Sequence, residues 1–459
     1  PSRPPSRSDA PRWKPPHQVE QIGRFAVYLD SSALTNEDIR YLSLYWLLLG
    51  ELPAGEADQD EIRLQMAEYL SGLDMTPMYP EASEAGQPHP MLRFMWTGLA
   101  EDQGESLTLL LTLLRETRLD DADAVLELIN RHKESCDLSR YADFMTLAGN
   151  QVRNGLSADI GYKNLFNSQE FYDFLQEISK TLAADETYID ELSARLEAVR
   201  GKLLTRQNLI YLCAASEETL PALQEEAKEI LAELPAGQPS EMAAELEPGV
   251  RRLGIIVESP AQYVTSYGNF YETEEMKGRY LPFLTALSDR YLIPTIRFQN
   301  GAYSAGISCN LFTGSAMMYS YSDPDAGNTI RTFEGIGDAA AQMELTQEEL
   351  NGYILNTLAS GNTRSNGVLS GPVQAVEAEL MGYDTGRAQE TLHDIKNASL
   401  EDQEKAGQLL ADIFAQGNIC AVGNEEKLRA QESQFDELVS YRRGSWAEGR
   451  PVERLDRIR

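Results

Sequence analysis

The two halves of the chain contain similar short sequence patterns in the same order, which indicates an internal repeat. In the first half, a short apolar run at Asn208–Cys213 is followed by a helix-start pattern at Ser216–Leu220. In the second half, Asn418–Val422 is followed in the same way by Asn424–Leu428. A closing strand that runs into a Ser- or Asn-capped helix, found twice, predicts a duplicated unit of about 210–220 residues.

A second repeated signal lies near the start of each half. The triplet Arg-Tyr-Leu occurs inside the first predicted helix of both, at 40–42 and at 279–281. Apolar strand patterns stand at both ends of each unit, and helical patterns are bunched between them. This order predicts the α+β class, with two homologous domains that each hold a mixed or antiparallel sheet backed by helices, rather than a doubly wound fold.

The best boundary between the two units is the Pro/Gly-rich break at 235–239. We therefore predict a first α+β domain at 21–237 and a second at 240–446. The Pro- and Arg-rich opening at 1–20 is typical of a linker remnant, and the basic stretch 447–459 is interpreted as a tail. With this opening and no initiator Met, we expect the chain to be a piece of a longer protein.

Local patterns predict individual elements. Apolar alternation and short apolar runs predict strands at 24–30, 91–98, 208–213, 253–258, 262–267, 303–312, 316–322 and 418–422. Helical periodicity predicts helices at 36–49, 104–117, 121–153, 168–182, 185–203, 217–234, 273–291, 325–341, 346–360, 369–382, 400–415 and from 425. The stretch 71–90, rich in Gly, Pro and Glu, predicts a loop.

Net charge limits the partners. Lys and Arg number 40 against 72 Asp and Glu, for a formal net charge of −32. A field of this sign repels phosphate backbones and anionic membrane surfaces, so we expect neither nucleic acid nor membrane as a partner. It attracts cationic ligands, including basic peptides, although acidity also serves solubility alone.

Cysteine and histidine spacing limits the metal chemistry. The four cysteines are far apart and form no C-x-x-C pair, which favours buried thiols in a reducing compartment, the cytoplasm. The four histidines are equally scattered, so neither H-E-x-x-H nor H-x-x-E-H occurs. We therefore expect no metal site and no cofactor in this chain. No apolar run reaches the length of a membrane span.

One segment departs from core-like sequence, Arg297–Gly306. An Arg closes a predicted helix, a Gly-containing turn follows, and Tyr303 opens a predicted strand. Arg and Tyr are both hydrogen-bond donors that can bind a carbonyl oxygen, or the charge that develops on it during acyl transfer. On spacing alone, a simpler interpretation is favoured, in which Arg297 closes a helix and the Tyr packs on a strand.

The residues around this segment carry a resemblance. The stretch N-G-A-Y-S-A-G at 300–306, the later Y-S-Y-S-D-P-D at 319–325 and Thr329 resemble the C-terminal half of the pitrilysin-type zinc metallopeptidases, in the presequence-protease branch. That branch typically has G-G-A-Y-G and S-Y-R-D-P-N. Here Asn300, Ser304 and Ser322 replace the first Gly, the Gly after Tyr and the Arg.

The resemblance implies a fold and a role. The fold would be the pitrilysin/LuxS-MPP-like metallohydrolase fold, with two halves that close around a peptide, and this chain would supply the third and fourth domains. Its family counterparts make Arg297 and Tyr303 the groups that stabilise the scissile carbonyl, and neighbouring positions would contact the substrate. Those positions are Asn300, Gly301, Ala302 and Ser304. Asp323 and Pro324 are interpreted mainly as a turn and helix start.

The catalytic metal would come from elsewhere. The resemblance places H-x-x-E-H and Zn²⁺ in an N-terminal catalytic half, in the same polypeptide or in a separate subunit. The implied function is the metal-free half of an endopeptidase that degrades oligopeptides and presequences, inactive when isolated. Its substrate is a peptide, basic peptides included.

Two other functions stay open at this stage. The same half can serve as a non-catalytic partner or structural subunit. A more remote alternative is a serine hydrolase, because the residues around Ser304 nearly fit G-x-S-x-G and His393 lies downstream. The first Gly of that motif is missing, and a strand pattern follows Ser304 where the nucleophile elbow needs a helix.

Overall fold

The structure is a computed structural model that describes residues 21–80, 89–140, 143–154, 156–166, 169–238, 240–246, 249–270, 277–310, 313–361, 370–382, 385–415 and 417–440. The predicted linker at 1–20 and the predicted tail at 447–459 lie outside the described residues. Within the described residues, no helix combines the length and the apolar character that crossing a membrane requires.

In both halves the strands lie near the two ends and most helices are bunched between them. The strands are β1 Ile22–Asp30, β2 Ser71–Met78, β3 Met91–Leu99, β4 Leu209–Ala214, β5 Arg252–Ile256, β6 Gln262–Asn269, β7 Ser304–Cys309, β8 Ser315–Asp323, β9 Asn418–Gly423 and β10 Glu437–Ser440. The helices of the first half are α1 Asn36–Leu48, α2 Gln59–Tyr69, α3 Gln103–Glu116, α4 Ala122–Arg140, α5 Phe144–Arg153, α6 Ala158–Phe166, α7 Gln169–Ala184, α8 Tyr188–Leu203 and α9 Leu220–Leu231. Those of the second half are α10 Leu281–Leu287, α11 Ala326–Glu334, α12 Ile336–Gln342, α13 Gln347–Gly361, α14 Ser370–Leu380, α15 Thr385–Ile395, α16 Gln403–Ala415 and α17 Glu425–Arg429. A π-helix at Ser288–Gln299 continues α10.

The strand order of the two sheets reveals the duplication. The first sheet has the order β2-β3-β1-β4, and the second has β10-β5-β9-β6-β8-β7. When β1, β2, β3 and β4 are matched to β6, β7, β8 and β9, the first order recurs inside the second. In each sheet the central strand, β1 or β6, is antiparallel to both of its neighbours. The second sheet is extended by β5 and β10, which pair in parallel.

The repeated triplet follows the same frame. Arg40 lies ten residues after the end of β1, and Arg279 lies ten residues after the end of β6. The leucines of the two triplets, Leu42 and Leu281, are buried in the cores of their respective halves. The predicted α+β class, with mixed and antiparallel sheets backed by helices, is confirmed. The domain boundaries themselves stay predictions.

Each sheet packs one face on helices of its own half. In β1 the alternate residues Phe25, Val27 and Leu29 belong to the first core, with α1, α3, α4, α7 and α8. In the second half, Val264 of β6 and Met318 of β8 belong to the core formed with α10, α11 and α16. Period-two alternation of strand side chains explains why the same strands have a second apolar face to cover.

That second face is covered by a helix from the other half. Helix α5 of the first half lies on the second sheet, and Thr265 donates a hydrogen bond to the Ala148 carbonyl at 3.0 Å. Helix α14 of the second half lies on the first sheet, where Val373 belongs to the same apolar cluster as Ala26. The halves therefore exchange one helix each, and neither sheet buries both faces with its own half alone.

Several predicted elements differ from the structure. The stretch 71–90 is not all loop, because β2 occupies its first eight residues; residues 81–88 lie outside the described part. The pattern at 121–153 forms two helices, α4 and α5, and the helix at 273–291 continues to Gln299 as the π-helix. Helices α2, α6 and α15 and strand β10 have no counterpart among the predicted elements.

Candidate functional site

The segment from Arg297 to Tyr303 forms an ordered turn at the edge of the second sheet. Arg297 lies in the last turn of the π-helix, and β7 begins directly after Tyr303. Three backbone hydrogen bonds hold the turn: Gly301 N to Arg297 O at 3.1 Å, Ala302 N to Ile296 O at 3.0 Å, and Tyr303 N to Tyr321 O at 3.0 Å. Both polar side chains therefore project from a fixed backbone.

Gly301 makes the turn possible. Its φ is +84°, a conformation that L side chains rarely adopt. A Cβ added there would meet only Pro324 Cγ, at 3.8 Å, so space is available and the constraint is the backbone angle itself. A helix end followed by a left-handed residue is an ordinary way to reverse the chain into a strand.

Arg297 is exposed, and its guanidinium carbon lies 5.4 Å from the centroid of the neighbouring Phe298 ring. Phe298 is itself 71% exposed. A cation held over an aromatic face is attracted by the ring's negative face, at a gain of about 0.5–1 kcal/mol in an exposed site. The five N–H donors of the guanidinium remain available to a ligand.

Tyr303 is 72% exposed and its ring packs against Tyr321, with centroids 6.0 Å apart and the planes at 60°. The contact is edge-to-face, a favoured geometry for aromatic pairs. The simpler interpretation agrees with the position of Arg297, which closes a helix, but Tyr303 is mostly exposed despite its contact with Tyr321. Arg297 and Tyr303 thus both present hydrogen-bond donors outside the core, on either side of one turn.

The four predicted substrate contacts differ in exposure. Gly301 is exposed, and Asn300 and Ser304 are half-buried. Ala302 is buried in the second core, so a ligand could reach only its backbone. Their contact with a substrate stays a prediction.

The Asp-Pro turn has a structural role. Asp323 is fully buried and accepts hydrogen bonds from the hydroxyls of Ser320 (2.6 Å) and Thr329 and from the Asp325 N–H (2.8 Å). Burial raises the pKa of its carboxyl, against the lowering effect of those donors. Asp325 caps α11 by accepting from the Asn328 N–H. The interpretation of this motif as a turn and helix start agrees with the geometry.

The serine-hydrolase alternative fails on geometry. Ser304 is the first residue of β7, which continues as a strand to Cys309. A nucleophile elbow needs a sharp turn from strand into helix at the serine. His393 lies on α15, which packs on α13 rather than on β7.

Metal ligands are not assembled in the part of the chain that can be described. No group of three or more His, Cys, Asp or Glu side chains is placed there to hold an ion. Residues that sequence reasoning missed are aromatic. Phe298 and Tyr321 are exposed large side chains beside the turn. The one sequence signal for Tyr321 was its place in the Y-S-Y-S-D-P-D stretch at 319–325.

Comparison with known families gives two matches. The model of an associated region found in subfamily C of the M16 peptidases matches residues 15–178, and the model described as the "PreP C-terminal domain" matches residues 254–425. The second match contains the Arg297–Tyr303 turn.

Two curated relatives align over most of the chain. Protein HypA of Clostridium perfringens is 22% identical over 419 residues, which is 90% of this chain and 42% of the relative. Presequence protease 1, chloroplastic/mitochondrial, of Arabidopsis thaliana is 20% identical over 414 residues, or 89% of this chain and 38% of the relative. The chain thus spans about two fifths of the length of these relatives.

Solved structures share the fold. A peptidase M16 inactive domain from Pseudomonas fluorescens superposes with a TM-score of 0.56 at 12% identity, covering 88% of this chain and 93% of that one. The periplasmic protease PqqL from Escherichia coli gives a TM-score of 0.54 at 14% identity, over 88% of this chain and 43% of that one.

Proposed function

Because the chain belongs to the presequence-protease branch of the pitrilysin-type peptidases and corresponds to their C-terminal half, we propose that it acts as the metal-free half of a zinc endopeptidase. In this proposal it closes over a peptide substrate and stabilises the scissile carbonyl. The observation that carries it is the Arg297–Tyr303 turn, which presents two exposed donors on a backbone fixed by three hydrogen bonds.

The chemistry is divided between two halves. An N-terminal half with H-x-x-E-H would hold Zn²⁺, and the metal would supply a polarised water. Arg297 and Tyr303 donate hydrogen bonds to the carbonyl oxygen as it becomes tetrahedral, when its negative charge makes those bonds strongest. The backbone of Asn300 and Gly301 lies between the two donors and borders the path of the peptide.

The substrate and compartment are parts of the same proposal. A net charge of −32 favours basic peptides over acidic ones by long-range attraction. Three cysteines in the described residues form no disulfide: Cys213, Cys309 and Cys420. Free thiols support a reducing compartment such as the cytoplasm.

The test uses the chain with an N-terminal half, fused or added in trans, and a quenched fluorogenic peptide rich in Lys and Arg. We expect Tyr303→Phe and Arg297→Ala each to lower kcat/KM by about 10²–10³-fold, the cost of losing one oxyanion donor. Tyr69→Phe on α2, in the first half of the chain, serves as the matched control and should leave the rate unchanged. All variants should keep the melting temperature within a few degrees.

Two results would overturn the proposal. Unchanged kinetics for both variants would indicate a non-catalytic partner subunit. Peptide cleavage or stoichiometric zinc binding by the chain alone would contradict the division of labour, and metal analysis of the purified chain measures the latter directly.

A further inference from the structure

A β-bulge includes Tyr321, the residue whose carbonyl accepts from the Tyr303 N–H. Val264 of β6 pairs with Ser320 of β8, yet Gln262 pairs with Asp323. Tyr321 and Ser322 therefore stand opposite the single residue Tyr263. Bulges of this kind bend the strand and re-aim a side chain, and they are common beside active sites.

The bulge holds an unusual backbone conformation. Ser322 has φ +52°, and it is the one non-glycine residue with positive φ in the described ranges. Such a conformation persists only where the surroundings impose it. Here the residues on either side are fixed, since Ser320 and the backbone N–H of Asp325 both donate to the buried Asp323 carboxylate.

A series of ring contacts runs from the exposed phenol into the protein. Tyr303 contacts Tyr321 at 6.0 Å between centroids, Tyr321 contacts Tyr263 at 5.1 Å and 87°, and Tyr263 contacts Phe144 at 5.5 Å. Exposure falls along the series, from 72% at Tyr303 to 40% at Tyr321 and 8% at Phe144. Phe144 belongs to α5, the helix that the first half lays on the second sheet.

We infer that Tyr321 is a positioning residue for Tyr303, backed through Tyr263 by Phe144 of the first half. The Tyr321 ring closes one side of the space that the exposed Tyr303 ring could otherwise occupy, while the Tyr303 N–H is bonded to the Tyr321 carbonyl. Backbone and ring of Tyr321 thus restrict Tyr303 together. The inference rests on the proposed function only for its catalytic consequence; the restriction of Tyr303 is measurable without it.

The first experiment measures that restriction in the chain alone. The tyrosines are labelled with 3-fluorotyrosine, and Tyr303→Phe assigns the ¹⁹F resonance of Tyr303 among the 21 tyrosines. Tyr321→Leu should shift and narrow this resonance, because the ring gains rotational freedom, whereas Tyr321→Phe should keep its line width. Tyr319→Leu, two residues earlier on β8, is the matched control. An unchanged Tyr303 resonance in Tyr321→Leu would overturn the inference.

The second experiment measures the catalytic consequence, with an N-terminal half and the Lys- and Arg-rich fluorogenic peptide. Tyr321→Leu should lower kcat about tenfold with KM unchanged, since a misplaced donor weakens the transition state more than the bound substrate. Tyr321→Phe should restore the rate. If Tyr303→Phe lowers the rate and Tyr321→Leu does not, positioning is refuted while the proposed function stands. If Tyr303→Phe itself has no effect on the rate, the proposed function fails. The ¹⁹F resonance of Tyr303 in Tyr321→Leu then still tests whether Tyr321 restricts the Tyr303 ring.

Discussion

The two sheets share a strand order but differ at the corner where the edge hairpin begins. In the first sheet, α2 ends at Tyr69 and β2 begins at Ser71, with only the buried Leu70 between them. In the second sheet, four residues separate the π-helix from β7, and exposed Arg297 and Tyr303 lie at this corner. Core packing stabilises the strand order that the two sheets share. The sheets differ in the connection before the edge strand, where polar side chains can be added without disturbing a core.

The sheets also differ in how the exchanged helix is held. On the first sheet, α14 brings Glu377 against Arg93 at 2.5 Å, with the Tyr28 hydroxyl donating to the same carboxylate. On the second sheet, α5 packs through apolar side chains, and Thr265 of β6 donates a neutral hydrogen bond to the Ala148 carbonyl of α5. The hydrogen bonds that join helix to sheet thus include a charge pair at α14, whereas the bond at Thr265 is neutral.

The largest loss of stability is expected when the packing of α5 or α14 on the sheet of the other half is disrupted. Ala148→Glu on α5 buries a carboxylate against the second sheet, and Val373→Glu on α14 does the same on the first. Each should lower the free energy of unfolding by about 4 kcal/mol or more, because a buried charge without a partner is among the costliest substitutions. Urea denaturation followed by circular dichroism measures the loss. Gln151→Glu, half-buried on α5, adds the same charge and should cost far less; equal losses would refute the exchange.

Removing the charge pair should have the next largest effect. Arg93 and Glu377 have side-chain exposures of 15% and 20%. Glu377→Ala therefore leaves a largely buried guanidinium with the exposed Asp74 carboxylate, at 3.0 Å, and the neutral Thr76 hydroxyl, at 2.8 Å. We expect the free energy of unfolding to fall by about 3 kcal/mol, the low end for one partner of a buried pair. Glu377→Gln retains the side-chain shape and should cost less. A loss as small as that of an exposed pair would show that α14 is held by its apolar contacts alone.

The neutral contact on the second sheet should cost less. Thr265→Val keeps the shape of the side chain and removes the hydroxyl that donates to the Ala148 carbonyl at 3.0 Å and lies 3.4 Å from the Cys420 carbonyl. We expect a loss of about 1 kcal/mol in the free energy of unfolding. Because no charge is involved, this loss should be the same in low and high salt, whereas a salt-dependent loss would contradict the comparison. Thr97→Val, at an exposed position of β3, reports the cost of the chemical change outside the interface.

Elements with a strong local sequence signal could be predicted, and elements that depend on tertiary contacts could not. The duplication could be predicted because β4 and β9 are each followed by a capped or Pro-started helix. Arg297 and Tyr303 were selected for their place around the N-G-A-Y-S-A-G stretch, and their role stays a prediction. Strand β2 was missed because Gly72 and Pro77 are turn signals, which an edge strand tolerates. The bulge at Tyr321 was missed because a positive φ at a serine has no local signature. The helix exchange depends on tertiary contacts between distant segments.

The smallest effect concerns a group that has no described counterpart in the first sheet. At the end of β8 the carboxyl of Asp323 is buried, whereas β3 ends at the exposed Leu99. Burial raises the pKa of Asp323 above its unfolded value of 3.8, so the folded state binds more protons than the unfolded state between the two values. This group's contribution to stability is therefore full below the unfolded pKa and is lost as pH rises through the folded pKa.

Asp323→Asn removes this titration and isolates it. The variant is expected to be less stable at every pH, because an amide cannot accept from all three donors. The stability difference between the natural chain and the variant should shrink as the pH is raised from about 3.8 towards neutrality, since only the natural chain loses the contribution. Urea denaturation of both proteins at matched pH values measures the difference. A difference that grows with pH would mean that the three donors outweigh burial and hold the folded pKa below 3.8. In that case the three hydrogen bonds would stabilise the ionised Asp323 carboxylate by more than burial destabilises it.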